Sequence, residues 1–185
     1  MKKLLIAILL AALLIIPVPG TALAAPKHAK HTITADMTVA IVGSHDLYPD
    51  PTDPYNFLVG TFNYAGSVTE ADRQSKDWEK LEGATVTAQE NVRYQYQMVG
   101  PYTILLSGTA TGTITITASD HAVAVMTFKS AIDCSNYPFQ LVDEGKWKTV
   151  RAHGFLNILK DAEGDWIATI NPLNFTGTAH VTGTY

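Results

Sequence analysis

One carboxylate in this chain stands where an apolar residue is expected. Between Val86 and Met98 the side chains alternate: Val86, Ala88, Val92, Tyr94, Tyr96 and Met98 share one face, and Thr85, Thr87, Gln89, Asn91, Arg93, Gln95 and Gln97 share the other. Glu90 falls on the apolar face. A carboxyl group there is costly unless it is paired, protonated or turned toward a ligand or water. Burial favours its neutral form, and a carboxyl tuned toward neutral pH is suited to hydrogen bonding or proton exchange with a bound molecule. Tyr94 and Tyr96 follow on the same face and offer aromatic walls with hydroxyl tips, so Glu90, Tyr94 and Tyr96 are the expected ligand-binding residues. The plainer alternative is a shift of register at a bulge, or a place at a barrel rim.

Other chemistry is poorly supported. The six histidines are scattered, and only His28 and His31 are close in sequence, so converging zinc ligands are not expected. The acidic loop with Asp46, Asp50 and Asp53 has oxygen ligands but lacks the spacing and the glycine of an EF-hand. No GxSxG elbow, HExxH, phosphate-binding loop or CxxC pair occurs. The reading therefore assigns no catalytic residue, no metal and no cofactor. Cys134 is the only cysteine, which rules out an internal disulfide and leaves either a small buried hydrophobe or a free thiol able to pair between chains.

The elements that must position Glu90 are strands. Ile33, Ala35, Met37, Val39 and Ile41 alternate with polar residues, and SHDLYPDPTDPYN, residues 44 to 56, is a long loop because its prolines remove ladder donors. A strand follows from Phe57 to about Thr69, and the charged stretch after it is either one short helix or an ordered loop. Tyr102 to Thr117 forms a long strand whose inward side is Ile104, Leu106, Gly108, Ala110, Gly112, Ile114 and Ile116, leaving the row from Thr109 to Thr117 for solvent. Ala122 to Ile132, Trp147 to Lys160 (inward Val150, Ala152, Gly154, Leu156 and Ile158), Trp166 to Ile170 and Asn174 to Tyr185 complete the set. About eight strands and at most one short helix predict a mainly β fold, an antiparallel barrel, with a β-sandwich as the alternative.

At the N-terminus, Lys2 and Lys3 precede an apolar run from Leu4 to Pro17 and the small residues of Ala22-Leu23-Ala24. This is the pattern of a signal peptide over residues 1 to 24, with a flexible leader from 25 to 31 and a single domain from 32 to 185. Cleavage would take Lys2 and Lys3 from the 13 basic residues and leave 17 acidic ones, a formal charge of −6. A mildly acidic exported domain is not expected to bind nucleic acid or, once cleaved, a membrane.

Gly60-Thr61-Phe62 running into Gly66-Ser67-Val68-Thr69-Glu70, and Glu144-Gly145-Lys146-Trp147 running through Val150 to Gly154 and Leu156, resemble small exported bacterial proteins of the allene oxide cyclase and dirigent type. The Gly-Thr-rich ending FTGTAHVTGTY is similar to theirs as well, although Ala152-His153-Gly154 stands where such proteins often carry Gly-Thr-Gly. The resemblance implies an eight-stranded antiparallel barrel with a lumen for a small apolar molecule, and it assigns no catalytic residue. Together these features lead to the expectation of a secreted, soluble, non-enzymatic barrel that binds a small apolar ligand or a surface partner. The competing expectation is a cofactor-free cyclase or isomerase with Glu90 as acid or base.

Overall fold

The alternation along the chain is realised as nine antiparallel strands in a computed structural model that describes residues 32–71, 78–118 and 121–185. These are β1 (Thr32–Ile41), β2 (Tyr48–Pro49), β3 (Phe57–Ala71), β4 (Thr85–Val99), β5 (Tyr102–Thr117), β6 (Val123–Asp133), β7 (Leu141–His153), β8 (Glu163–Asn171) and β9 (Thr176–Thr184). From β3 to β9 each strand pairs with the next, and β1 pairs with both β9 and β3. That double pairing, from Thr32↔Thr184 on one side and Ala35↔Ala71 on the other, closes an eight-stranded barrel and leaves no long free edge in it. The two-residue β2 lies outside the closure and covers Leu58 and Val59, where β3 runs past the end of β1.

Among the described residues the remaining regular structure is two short 3-10 segments, Trp78–Leu81 and Gly154–Leu159. The second closes one end of the barrel. Leu156 and Ala122 are wholly buried there, alongside Leu159, Leu81, Ala84 and Ala162. Gly154 permits this closure, since it adopts a φ of +65° and a Cβ on it would lie 2.7 Å from that of Ala122. Nearby, Trp147 is buried on β7 and donates its Nε1–H to the carbonyls of Asp165 (3.0 Å) and Thr182 (3.1 Å), tying β8 to β9.

Two inward faces differ from the alternation read along the chain, each because of a bulge. Between Gln95 and Tyr96 the pairing of β4 with β5 slips, so Leu105 points inward while Ile104 and Leu106 are exposed; from Gly108 onward the expected parity holds. Opposite Val125 and Met126 the pairing of β6 with β7 skips Val150, which is exposed, and the strand ends at His153 instead of running to Lys160. The row from Thr109 to Thr117 faces outward as expected. The signal-peptide reading, the leader and the His28 and His31 pair lie outside the described residues.

Candidate functional site

The other end of the barrel is hollow. A cavity of about 240 Å³ occupies the lumen, walled by Met37, Val39, Phe62, Val86, Leu105, Ile114, Phe128, Ile132 and Ile170, with His45, Leu47, Pro172 and Phe175 among the lining residues supplied by the connecting loops. Glycine on β5 makes room for its aromatic walls. A Cβ on Gly108 would sit 2.7 Å from the Tyr94 ring, and one on Gly112 would sit 2.5 Å from the Phe128 ring. Phe128 in turn stacks on Trp166, with centroids 5.1 Å apart and planes at 26°.

Two carboxyl groups face this apolar space. Glu90 lies on β4 directly opposite Phe62 and Gly112, is 5% exposed, and accepts a 2.5 Å hydrogen bond at Oε2 from the Tyr64 hydroxyl. Asp143, on β7, is equally buried and accepts the Trp166 Nε1–H at Oδ2 over 2.9 Å. Its second oxygen, Oδ1, and the buried Ser130 Oγ make no hydrogen bond of good geometry, although Ser130 lies near enough to pull on the Asp143 carboxyl.

Burial pushes the Glu90 carboxyl up to about 7, and the charge of Asp143 adds to the rise while the Tyr64 hydroxyl opposes it. Desolvation also raises Asp143, against the pull of Ser130 and the Trp166 indole. Tyr64 and Tyr94 are pushed upward, first by burial and then by Glu90, so both phenols stay protonated. No lysine or arginine lines the cavity, and His45, tilted against Phe175 with centroids 4.1 Å apart, is its one basic residue.

Of the residues singled out in the sequence, Glu90 and Tyr94 line the lumen together. Tyr96 does not line it: its hydroxyl donates to the Pro54 carbonyl at 3.0 Å and ties the end of β4 to the loop before β3. Tyr64, Asp143, Tyr137 and Trp166 were not anticipated. The signal for Asp143 is nonetheless present, since Leu141, Asp143, Gly145 and Trp147 alternate; a strand started at Trp147 never reaches it.

The acidic loop is internally satisfied. Asp50 Oδ1 accepts from the Thr52 backbone and hydroxyl, and its Oδ2 pairs with Arg93 at 2.6 Å, whose guanidinium lies 3.4 Å from the Phe57 ring centroid. These hydrogen bonds, Thr52 first, hold the Asp50 carboxyl down at about 2. Asp46 accepts from Ser44 and Tyr48, and Asp53 from Asn56. Among the described residues no three His, Cys, Asp or Glu side chains converge as metal ligands. Cys134 is buried and unpaired, and desolvation raises its thiol to about 11.

No protein-family model matches the chain, and no curated protein matches it either.

Proposed function

We propose that this protein binds a small, largely apolar molecule in the barrel lumen, and that it does so outside the cytoplasm after removal of its N-terminal segment. The observation that carries the reading is the lumen itself: an apolar cavity of about 240 Å³ with a few convergent polar groups, Tyr64, Glu90, Asp143 and Trp166, at its wall. An apolar cavity of about 150 Å³ accommodates benzene, so this one suits a single ring with a short side chain. Interiors are otherwise close-packed, and a void of this size costs stability. The resemblance to the allene oxide cyclase and dirigent type points the same way.

A second reading, catalysis in the lumen, is favoured by one feature. Glu90 titrates near neutrality beside a phenol donor, which suits an acid or base in a cofactor-free cyclisation or isomerisation. It predicts turnover that Glu90→Gln removes.

Native mass spectrometry of the purified protein tests the binding reading. The expected result is a defined extra mass on the wild type that disappears in Ala88→Phe, which places a ring in the lumen from β4. An extra mass retained in full by Ala88→Phe, or protein free of ligand from several expression hosts, would count against it.

A further inference from the structure

The reading of the lumen as a binding site leaves open what the two carboxyl groups are for. A neutral hydrocarbon would be served better by a lumen without them, because each carboxyl buried among Phe62, Phe128 and Ile114 costs free energy. Glu90 has Tyr64, but Asp143 Oδ1 lacks a hydrogen bond of good geometry although the residue is 5% exposed and lines the cavity. Ser130, whose hydroxyl pulls on Asp143 without a hydrogen bond of good geometry, is buried on the neighbouring strand, two residues along from Phe128. Charge on the protein does not supply what is missing, for no lysine or arginine lines the cavity.

From the Asp143 oxygen that lacks a good hydrogen bond, the second carboxyl of Glu90 and the aromatic walls around them, we infer that the lumen takes a small hydrophobic amine in its ammonium form. The ammonium would donate to the Asp143 carboxyl and face Glu90, with the ring faces of Trp166, Phe128 and Tyr94 accepting both the positive charge and the apolar body. Three donors on one nitrogen suit a site with two carboxyls and a hydroxyl. A carboxylate ligand is disfavoured by the same features, since it would meet two acids and no lysine or arginine. Burial raises both carboxyls, and the charge of Asp143 adds to the rise at Glu90. The other titratable groups facing them are Tyr64 from β3, Tyr94 from β4, Tyr137 from the β6–β7 loop and His45 at the mouth, with Cys134 behind Tyr94.

This inference rests on lumenal binding, and the test separates the two. Calorimetric titration of the purified protein at neutral pH compares three molecules of one shape: phenylethylamine, phenylethanol and phenylacetate. The expected order is amine first, with the alcohol at least about 10-fold weaker and the acid weaker still, because the alcohol forfeits a desolvated charge pair and the acid brings a like charge. Asp143→Asn is expected to weaken the amine by about 30-fold and to leave the alcohol within a few-fold. The isostere series is read on the wild type, so it decides the matter even if the variant fails to fold. Alcohol binding as tight as amine binding would overturn the ammonium inference and leave lumenal binding standing. Binding of none of the three would overturn it as well, and native mass spectrometry would then judge the lumen separately.

Discussion

The two ends of the barrel are built from the same alternating strands yet do opposite things with their interiors. At the end closed by Gly154–Leu159, alanine and leucine fill the space: Leu156, Leu159, Ala122, Ala124 and Ala162 are all at most 3% exposed. At the other end the strands enclose a void and bury two acids, one of them with an oxygen that makes no hydrogen bond of good geometry. Ordinary folding pressure accounts for the first arrangement and works against the second. A barrel able to pack one end tightly has no structural need to leave the other hollow and acidic, so the hollow end is where function is to be sought.

The contrast is sharpest in a pair of truncations. Leu156→Ala at the closed end is expected to cost about 4 kcal/mol, near the upper range for a fully buried leucine. Ile170→Ala, half-buried at the edge of the cavity, should cost about 1 kcal/mol because one side of its chain already faces empty space. Urea unfolding of both variants measures the difference, and equal losses would show that the lumen is packed as firmly as the plug.

Next in size is the pH dependence of stability in ligand-free protein. Glu90 rises from its ordinary 4.5 to about 7 on folding, so its contribution is intact below pH 4.5 and is lost as pH climbs through 7, by about 3 kcal/mol in all. Asp143 acts in the same direction. Asp50, held at about 2 from 3.8, has the opposite sign: its contribution is present above pH 4 and disappears as pH falls through 2. Stability should therefore peak near pH 4 to 5, and Glu90→Gln should flatten the decline on the alkaline side. A wild-type profile that is flat from pH 4.5 to 7 would mean that Glu90 is not desolvated as the closed lumen requires.

The smallest expected effect concerns the mouth. Tyr96→Phe removes the exposed hydrogen bond to the Pro54 carbonyl and should cost less than about 1 kcal/mol. Amide exchange in residues 44 to 56 should quicken more than it does in β5, and uniform quickening would tie that loop to the global core.

By itself the sequence determined the architecture. Period-two alternation over long segments, with threonine on one face and aliphatic residues on the other, admits little besides antiparallel strands that hide one face. The small residues Gly108, Ala110 and Gly112 in the middle of β5 mark where a strand can coil or approach its neighbours closely, while the rings they admit are seen only in the folded barrel. Alternation also marked Glu90 and Tyr94 as inward, because both stand well inside an unbroken stretch of β4. What only the tertiary structure decided was set by bulges and by distance along the chain. Slips beside Tyr96 and Val150 exchange inside for outside within a single residue, and neither leaves a mark in composition. The register of β3 on β4 brings Tyr64 onto Glu90 across 26 positions, and closure of β1 on β3 and β9 sets Asp143 on another wall of the same lumen, from a strand that looks unremarkable when read alone. Pairing along a strand is local and leaves a pattern; the meeting of side chains across a lumen depends on how the sheet closes, and no local pattern records it.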